Sequence, residues 1–315
     1  MPTSELSQIV FSNIGPLTTV FTAPPACATP TAPVRLGYKA DDSGDEAWGS
    51  FLWSNNCDDI PLGDCHASGS LLDAQYSDYL TKGGPTGMGN LGYFSPASQC
   101  PDGHTTAGVA SKGADGKVSS SGMFVPPVVT RRPEDAFLIM NPVANVFMEA
   151  LEEGERAVVC CQENYTANHG FGCFSEVPVS SYGNISTACG AVPARSQDSF
   201  TWVNATFTYN DTVYTTEVFT VTATSFPPLT ITTTDIDFPP SEESLAAYVE
   251  GGMYLLVNRP AEATTNGTSD AAAAPPSETA GSSASGWRMM TSGGGVGVLA
   301  TACTFAAFVG IMLAS

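Results

Sequence analysis

The chain has 315 residues, of which 31 are acidic and 11 are basic, so its net charge is −20 at pH 7. This negative field repels phosphate backbones and argues against a nucleic-acid partner. Charged residues make up only 13% of the chain, too few for a disordered polyelectrolyte, and the residues before position 259 suffice to build a hydrophobic core.

The N-terminal segment, residues 1–15, has neither a basic start nor a sustained apolar run, so it is not a recognisable signal peptide. We expect that a leader is absent from this sequence. Residues 16–33 predict a short Thr-rich strand that runs into Pro-rich coil. Residues 34–125 are rich in Gly, Asp and Ser, which predicts loops held together by disulfide bonds.

Cysteine is the most informative residue type. Nine cysteines are present, and Cys303 lies in an apolar tail. The other eight are Cys27, Cys57, Cys65, Cys100, Cys160, Cys161, Cys173 and Cys189. An even set of eight predicts four disulfide bonds and an oxidising compartment, although the spacing does not choose among the pairings. A bond between the adjacent Cys160 and Cys161 would be strained, so we expect each to pair with a different cysteine.

The segment Gly87–Gly92 matches the pattern G-x-G-x-x-G. No strand is predicted before it, and Ser95-Pro96 stands where a helix would have to begin. A dinucleotide site needs that helix, because its N-terminus receives the pyrophosphate. We therefore predict a loop here.

Helix and strand patterns become clearer after residue 142. Val143–Glu153 predicts a helix and Arg156–Cys161 a strand. Residues 200–234 alternate Thr with aromatic and β-branched residues and break at Asn210-Asp211, which predicts a β-hairpin. A further strand near Leu229–Ile236, a short helix over Ser241–Val249 and a strand over Met253–Asn258 follow. We expect a cysteine-rich domain over residues 16–190 and a β-rich segment over residues 191–258 packed on it.

The C-terminal part predicts an anchor. Residues 259–286 are Ala, Ser, Thr, Pro and Gly, which is typical of a disordered stalk. Residues 287–315 end in an uncharged run, Val296–Ser315, that is long enough to cross a bilayer. No basic residue follows this run, so a GPI-attachment signal fits better than a retained transmembrane span, which stays the alternative. We place attachment at Ser283, with Ser282 or Ser285 as alternates.

Five N-x-S/T sequons predict N-glycosylation and passage through the secretory route. Their asparagines are Asn164, Asn184, Asn204, Asn210 and Asn266.

Candidate chemistry is sparse. The three histidines, His66, His104 and His169, have no metal-ligand spacing and read as surface or loop residues. Trp48, Trp53 and Trp202 could form a sugar-stacking platform, but core packing is the preferred interpretation. We predict no catalytic residue, no cofactor and no metal site.

Several segments resemble a family of uncharacterised secreted or membrane-anchored proteins of filamentous fungi. They are Pro16–Thr22, Pro24–Cys27, Tyr93–Pro96, Cys100–Thr106, Gly154–Cys161, Tyr165–Asn168 and Gly172–Cys173. The resemblance covers residues 16–190 and rests on forms similar to SPG.CP.G and ETAVxCCPSGY. It departs at Gln162–Asn164, which stand where the family has Pro-Ser-Gly. The resemblance implies a Ser/Thr-rich stalk and an apolar C-terminal segment, and it carries no catalytic residue.

Together these features predict a mainly β, disulfide-rich, loop-heavy ectodomain with a C-terminal β-hairpin region, followed by a disordered stalk and an apolar C-terminal helix. We expect a glycosylated protein on the outer face of the plasma membrane or in the cell wall. Its expected partners are the membrane, through the tail, and cell-wall glycans or proteins. A secreted carbohydrate-active enzyme and a single-span receptor-like protein are the alternatives.

Overall fold

The computed structural model describes Pro2 and residues 4–28, 33–38, 51–58, 61–82, 89–97, 99–125, 141–168, 172–192, 200–209, 211–222, 230–235 and 245–259. Within these ranges the protein is mainly β, as the sequence predicts, and it contains four disulfide bonds. Two α-helices accompany the strands: α1 spans Gly69–Lys82 and α2 spans Val143–Ala150.

Sheet 1 has seven strands in the described chain. In spatial order they are β1 (Glu5–Leu6), β2 (Ile9–Leu17), β5 (Gly89–Ala97), β16 (Met253–Asn258), β8 (Arg156–Gln162), β6 (His104–Lys112) and β7 (Val118–Gly122). The β2–β5 and β5–β16 pairs are parallel and the others antiparallel.

Sheet 2 also has seven strands in the described chain, and each of its neighbouring pairs is antiparallel. In spatial order they are β14 (Thr230–Asp235), β11 (Thr187–Val192), β4 (Phe51–Ser54), β3 (Val34–Tyr38), β15 (Leu245–Gly251), β10 (Gly172–Val177) and β9 (Thr166–Asn168). The strands β12 (Phe200–Tyr209) and β13 (Thr212–Val221) form a separate hairpin.

Strand β16 is buried on both of its faces. Its sequence is nearly all apolar, which is typical of a strand covered on both sides. Leu255 and Val257 belong to one buried cluster, and Tyr254 and Leu256 belong to another. Alternate residues of a strand point to opposite faces, so sheet 1 separates these two cores.

The first core is built around Phe147 of α2. Its ring lies 5.5 Å from Phe11 of β2, 6.5 Å from Tyr93 of β5 and 6.2 Å from Phe124. Ala167 of sheet 2 joins the same cluster. Helix α2 therefore covers one face of sheet 1, and its existence confirms the helix predicted over Val143–Glu153.

The two sheets are joined at a sharp corner between β15 and β16. Gly252 alone separates the two strands. A Cβ on the preceding Gly251 would lie 2.6 Å from the Tyr165 ring, so no larger residue fits there without a shift. Cys173 pairs with Gly251 in sheet 2, and Cys161 pairs with Met253 in sheet 1. The Cys161–Cys173 disulfide therefore bonds the two sheets at this corner.

The adjacent cysteines of β8 confirm the prediction that each finds a different partner. Cys160 is bonded to Cys100 and Cys161 to Cys173, because neighbouring residues of a strand point to opposite faces of the sheet. The remaining bonds join Cys27 to Cys65 and Cys57 to Cys189. All eight predicted cysteines are thus used.

Residues 34–125 hold more regular structure than their composition predicts. They contain α1 and the strands β3 to β7, so the prediction of loops without long elements is wrong for the described part. Helix α1 buries Leu72 and Tyr76, one turn apart, while Leu71 is exposed. The loop predicted over Gly87–Gly92 is also wrong where it is described, because Gly89 begins β5.

The C-terminal part of the folded region confirms three elements and corrects one. The hairpin predicted in residues 200–234 is present, as are the strands β14 and β16. The helix predicted over Ser241–Val249 is wrong in its described part, where β15 runs instead. β15 pairs with both β3 and β10, and this tertiary pairing outweighs the helix propensity of its alanines.

In the part of the chain that the structure describes, neither α-helix has the length and apolarity needed to span a bilayer. The stalk over residues 259–286, apart from Arg259, lies outside the described residues, as does the apolar tail Val296–Ser315.

Candidate functional site

The second core of sheet 1 brings two histidines onto one tyrosine. The ring of His66 stacks on Tyr254 with centroids 4.1 Å apart and planes at 4°. The ring of His104 meets the same tyrosine edge-on at 5.1 Å. Phe94 and Phe21 complete the group at 5.8 Å and 6.4 Å from Tyr254. We call these five residues the Tyr254 cluster.

The position of His66 is fixed from both sides along the chain. The preceding residue, Cys65, is bonded to Cys27. Upstream of His66, the backbone N–H groups of Leu62 and Gly63 each donate a hydrogen bond of 2.8 Å to the Asp73 carboxylate of α1. The next residue, Ala67, donates its backbone N–H to the Tyr254 hydroxyl at 3.2 Å. A disulfide and a helix thus clamp the short segment that carries the imidazole.

His104 is the first residue of β6, and its ring contacts the backbone of the turn that precedes the strand. Its Nδ1 lies 3.0 Å from the Asp102 carbonyl oxygen. Since a carbonyl only accepts, Nδ1 carries the proton and Nε2 of a neutral ring keeps its lone pair. In the described residues this buried Nε2 has no hydrogen-bond partner. A Cβ on Gly252 would lie 3.6 Å from it, so the glycine leaves this nitrogen uncovered by a side chain.

The Tyr254 cluster offers ring stacking and hydrogen bonding rather than a nucleophile paired with a general base. Its nearest cysteines, Cys65, Cys100 and Cys160, are in disulfides. Within the described ranges, no three His, Cys, Asp or Glu side chains lie close enough to hold a metal ion. Both histidines are half-buried. His66 lies in the loop before α1, in line with the prediction of surface or loop residues, whereas His104 is the first residue of β6 and departs from it. His169 lies outside the described residues. Sequence spacing could not reveal this pairing, because the two residues meet only across β16.

Burial raises the pKa of Tyr254 to about 12, and it does the same for Tyr93, Tyr182 and Tyr209. In an ultraviolet titration of the native protein we expect these four tyrosines to ionise well above the ordinary value near 10. A folded-state pKa above the unfolded one means that the native state holds more protons between pH 10 and 12. Stability is therefore complete below about pH 10 and falls as the pH rises towards 12.

Tyr254→Phe supplies the control for this titration, because it should remove one of the late-ionising groups and leave the others. A single transition near pH 10 that included all ten tyrosines of the chain would contradict the burial of these rings.

Sheet 2 holds a buried cation that the sequence did not single out. Arg35 of β3 is 5% exposed, and its Nη2 lies 3.7 Å from Glu250 of β15. Burial lowers the Arg35 pKa, and the Glu250 carboxylate acts in the opposite direction. Burying an unpaired charge costs free energy. We therefore interpret Glu250 as the partner that offsets the desolvation cost of the Arg35 guanidinium.

The hairpin β12–β13 is anchored at its turn and exposed at its open end. Phe207 and Tyr209 are buried, and Tyr214 stacks on Phe207 at 5.8 Å. Asn145 of α2 donates its side-chain amide to the Thr208 carbonyl at 2.8 Å. By contrast, residues 201–204 are all exposed. Trp202 is 43% exposed, so the prediction that it packs in the core is wrong.

Trp53 and Trp48 are the other two tryptophans that were considered for a sugar-stacking platform. Trp53 is half-buried and packs against the sheet 2 cluster that includes Leu36 and Tyr182. Trp48 lies outside the described residues.

The predicted glycosylation sites that the structure describes are all accessible. Asn164, Asn184 and Asn204 are solvent-exposed. Asn210, Asn266 and the attachment candidate Ser283 lie outside the described residues.

No family model, no curated protein and no solved structure matches this chain.

Proposed function

We propose that this protein is an N-glycosylated extracellular protein, displayed at a cell surface by its C-terminal tail, with a recognition or structural role. The observation that carries the proposal is the pairing of all eight cysteines from Cys27 to Cys189 into four disulfides. Such a set forms and persists in oxidising compartments. The resemblance to fungal surface proteins points the same way and stays a prediction.

The position of the disulfides supports a rigid scaffold. One bond joins the two sheets at their shared corner, and another fastens the segment that carries His66. The sequon asparagines that the structure describes, Asn164, Asn184 and Asn204, are exposed. A domain of this kind withstands an extracellular environment and presents its surface to membrane-proximal or wall partners.

Mass spectrometry of the native protein tests the proposal. We expect a mass lower than that of the reduced chain by eight hydrogen atoms, together with a loss of sugar mass on treatment with a peptide N-glycosidase. Release from intact cells by a phosphatidylinositol-specific phospholipase would distinguish a lipid anchor from a peptide span. Eight free thiols combined with unmodified asparagines would overturn the proposal.

A further inference from the structure

The imidazole of His66 lies against a carbonyl oxygen at each of its two nitrogens. Nδ1 is 2.7 Å from the Ala67 carbonyl oxygen, and Nε2 is 3.4 Å from that of Met253, the first residue of β16. A neutral imidazole has a single N–H, so its other nitrogen would turn a lone pair towards an oxygen that only accepts. The imidazolium ion has an N–H at both nitrogens and donates to both oxygens. The backbone around His66 is therefore arranged for the charged ring.

The face of the Tyr254 ring favours the same charge state. His66 stacks on it almost in parallel, with centroids 4.1 Å apart and planes at 4°. A cation over an aromatic face is attracted by the negative charge of the π-system. Burial raises the pKa of Tyr254 to about 12, so the phenol itself stays neutral over the range in which histidine titrates.

Other titratable groups surround the His66 ring. His104 of β6 meets the far side of the contact, edge-on to Tyr254 at 5.1 Å, and a charge on it would oppose a charge on His66. Three acidic groups lie on the loop, the helix and the turn around the two histidines: Asp64, Asp73 and Glu163. Their negative charges favour the imidazolium form of His66.

We propose that His66 is an acid-responsive latch, which binds a proton more tightly in the folded protein than in the unfolded chain and, when charged, fastens the loop before α1 to β16. The proposal concerns the fold and does not depend on the proposed cell-surface role. The His66 side chain is half-buried, so a charge on it loses only part of its hydration. Two charge-assisted hydrogen bonds and the aromatic face outweigh that partial loss.

The latch makes the stability of the fold depend on pH. A native state that binds the proton more tightly than the unfolded chain gains stability as the pH falls. This contribution is complete below about 6.5, the ordinary pKa of histidine, and is lost as the pH rises past the point where the folded ring releases its proton. Mildly acidic surroundings therefore hold the loop of Cys65 and Ala67 more firmly to β16 than alkaline ones do.

A pH titration of the histidine ring protons in the wild-type protein tests the proposal directly. His66→Phe assigns the His66 signal by its disappearance, and the urea-unfolded wild type supplies the reference midpoint. We expect the native His66 midpoint to lie above this reference by a shift that corresponds to roughly two- to tenfold tighter proton binding. A native midpoint equal to the reference or below it would overturn the proposal.

Denaturant unfolding of the wild type and of His66→Phe measures the consequence for stability. His66→Phe keeps an aromatic ring against Tyr254 but carries no proton. From about pH 8 to about pH 5.5, we expect the unfolding equilibrium constant of the wild type, divided by that of the variant, to fall roughly two- to tenfold. The division cancels the titration of the carboxylates and of the other two histidines. A ratio that stays constant across this range contradicts the latch.

Three further variants test where the tighter binding comes from. The His66 midpoint should stay raised in His104→Gln, which removes the opposing ring, and in Tyr254→Phe, which keeps the aromatic face. It should move towards the unfolded reference in Tyr254→Leu. A raised midpoint that is lost in His104→Gln, or unchanged in Tyr254→Leu, would overturn the proposal. The wild-type titration gives its answer whether or not these variants fold.

Discussion

Replacing Cys100 and Cys160 together by alanine is expected to lower the free energy of unfolding by about 4 kcal/mol. The bond closes a loop of 60 residues, and the chain-entropy relation assigns roughly that cost to opening a loop of this length. Cys160 is fully buried in the Tyr254 side of sheet 1, so a small cavity adds to the loss. Denaturant unfolding followed by circular dichroism measures the change.

The Cys161→Ala/Cys173→Ala variant is the matched comparison. Its bond closes only 12 residues, for which the same relation gives about 3 kcal/mol. Both of its cysteines are buried, so a packing effect would rank this variant as the less stable one. If it proved less stable than the variant lacking Cys100 and Cys160, packing or the sheet-to-sheet bond, rather than loop closure, would dominate.

Replacing Tyr254 by alanine is expected to lower the free energy of unfolding by about 3–5 kcal/mol, the usual range for removing a buried aromatic ring. The ring is 1% exposed and is the common contact of His66, His104, Phe94 and Phe21. Its loss should also release both imidazoles, which proton spectra of the histidine rings would detect as a shift towards the values of exposed histidine.

Tyr254→Phe isolates the hydroxyl in the same experiment. The ring contacts remain, but the buried N–H of Ala67 loses its acceptor, which should cost roughly 1–3 kcal/mol. Val213→Ala, at a position 65% exposed, should change the stability by less than about 0.5 kcal/mol. A Tyr254→Ala protein as stable as this control would show that the cluster does not hold the fold together.

Local patterns in the sequence predicted the elements that local forces decide. The Thr-rich alternation around residues 200–221 produced a hairpin, and the apolar helix formers from Val143 produced α2. Where pairing partners are distant, local patterns failed. Leu245–Gly251 became a strand because β3 and β10 flank it, and Gly89–Gly92 became part of β5 because β2 pairs with it in parallel.

Local sequence patterns could not predict the candidate site. His66 and His104 were each identified in the sequence, yet their meeting point is Tyr254, which stands far along the chain and had no feature to mark it. The burial of Arg35 has no local sequence signal for the same reason, because its partner Glu250 is remote in sequence and lies on a neighbouring strand. Trp202 was assigned to the core from its residue type, whereas the open end of the hairpin exposes it.

The sequence by itself determined the mainly β character, the use of eight cysteines and the separate partners of Cys160 and Cys161, because composition, parity and strand alternation act locally. Only the tertiary structure decided which cysteines pair, which strands neighbour one another, and which histidines share a tyrosine. These outcomes depend on contacts between residues remote in sequence, and their free energy is gained only when both sheets form around the corner at Gly251 and Gly252.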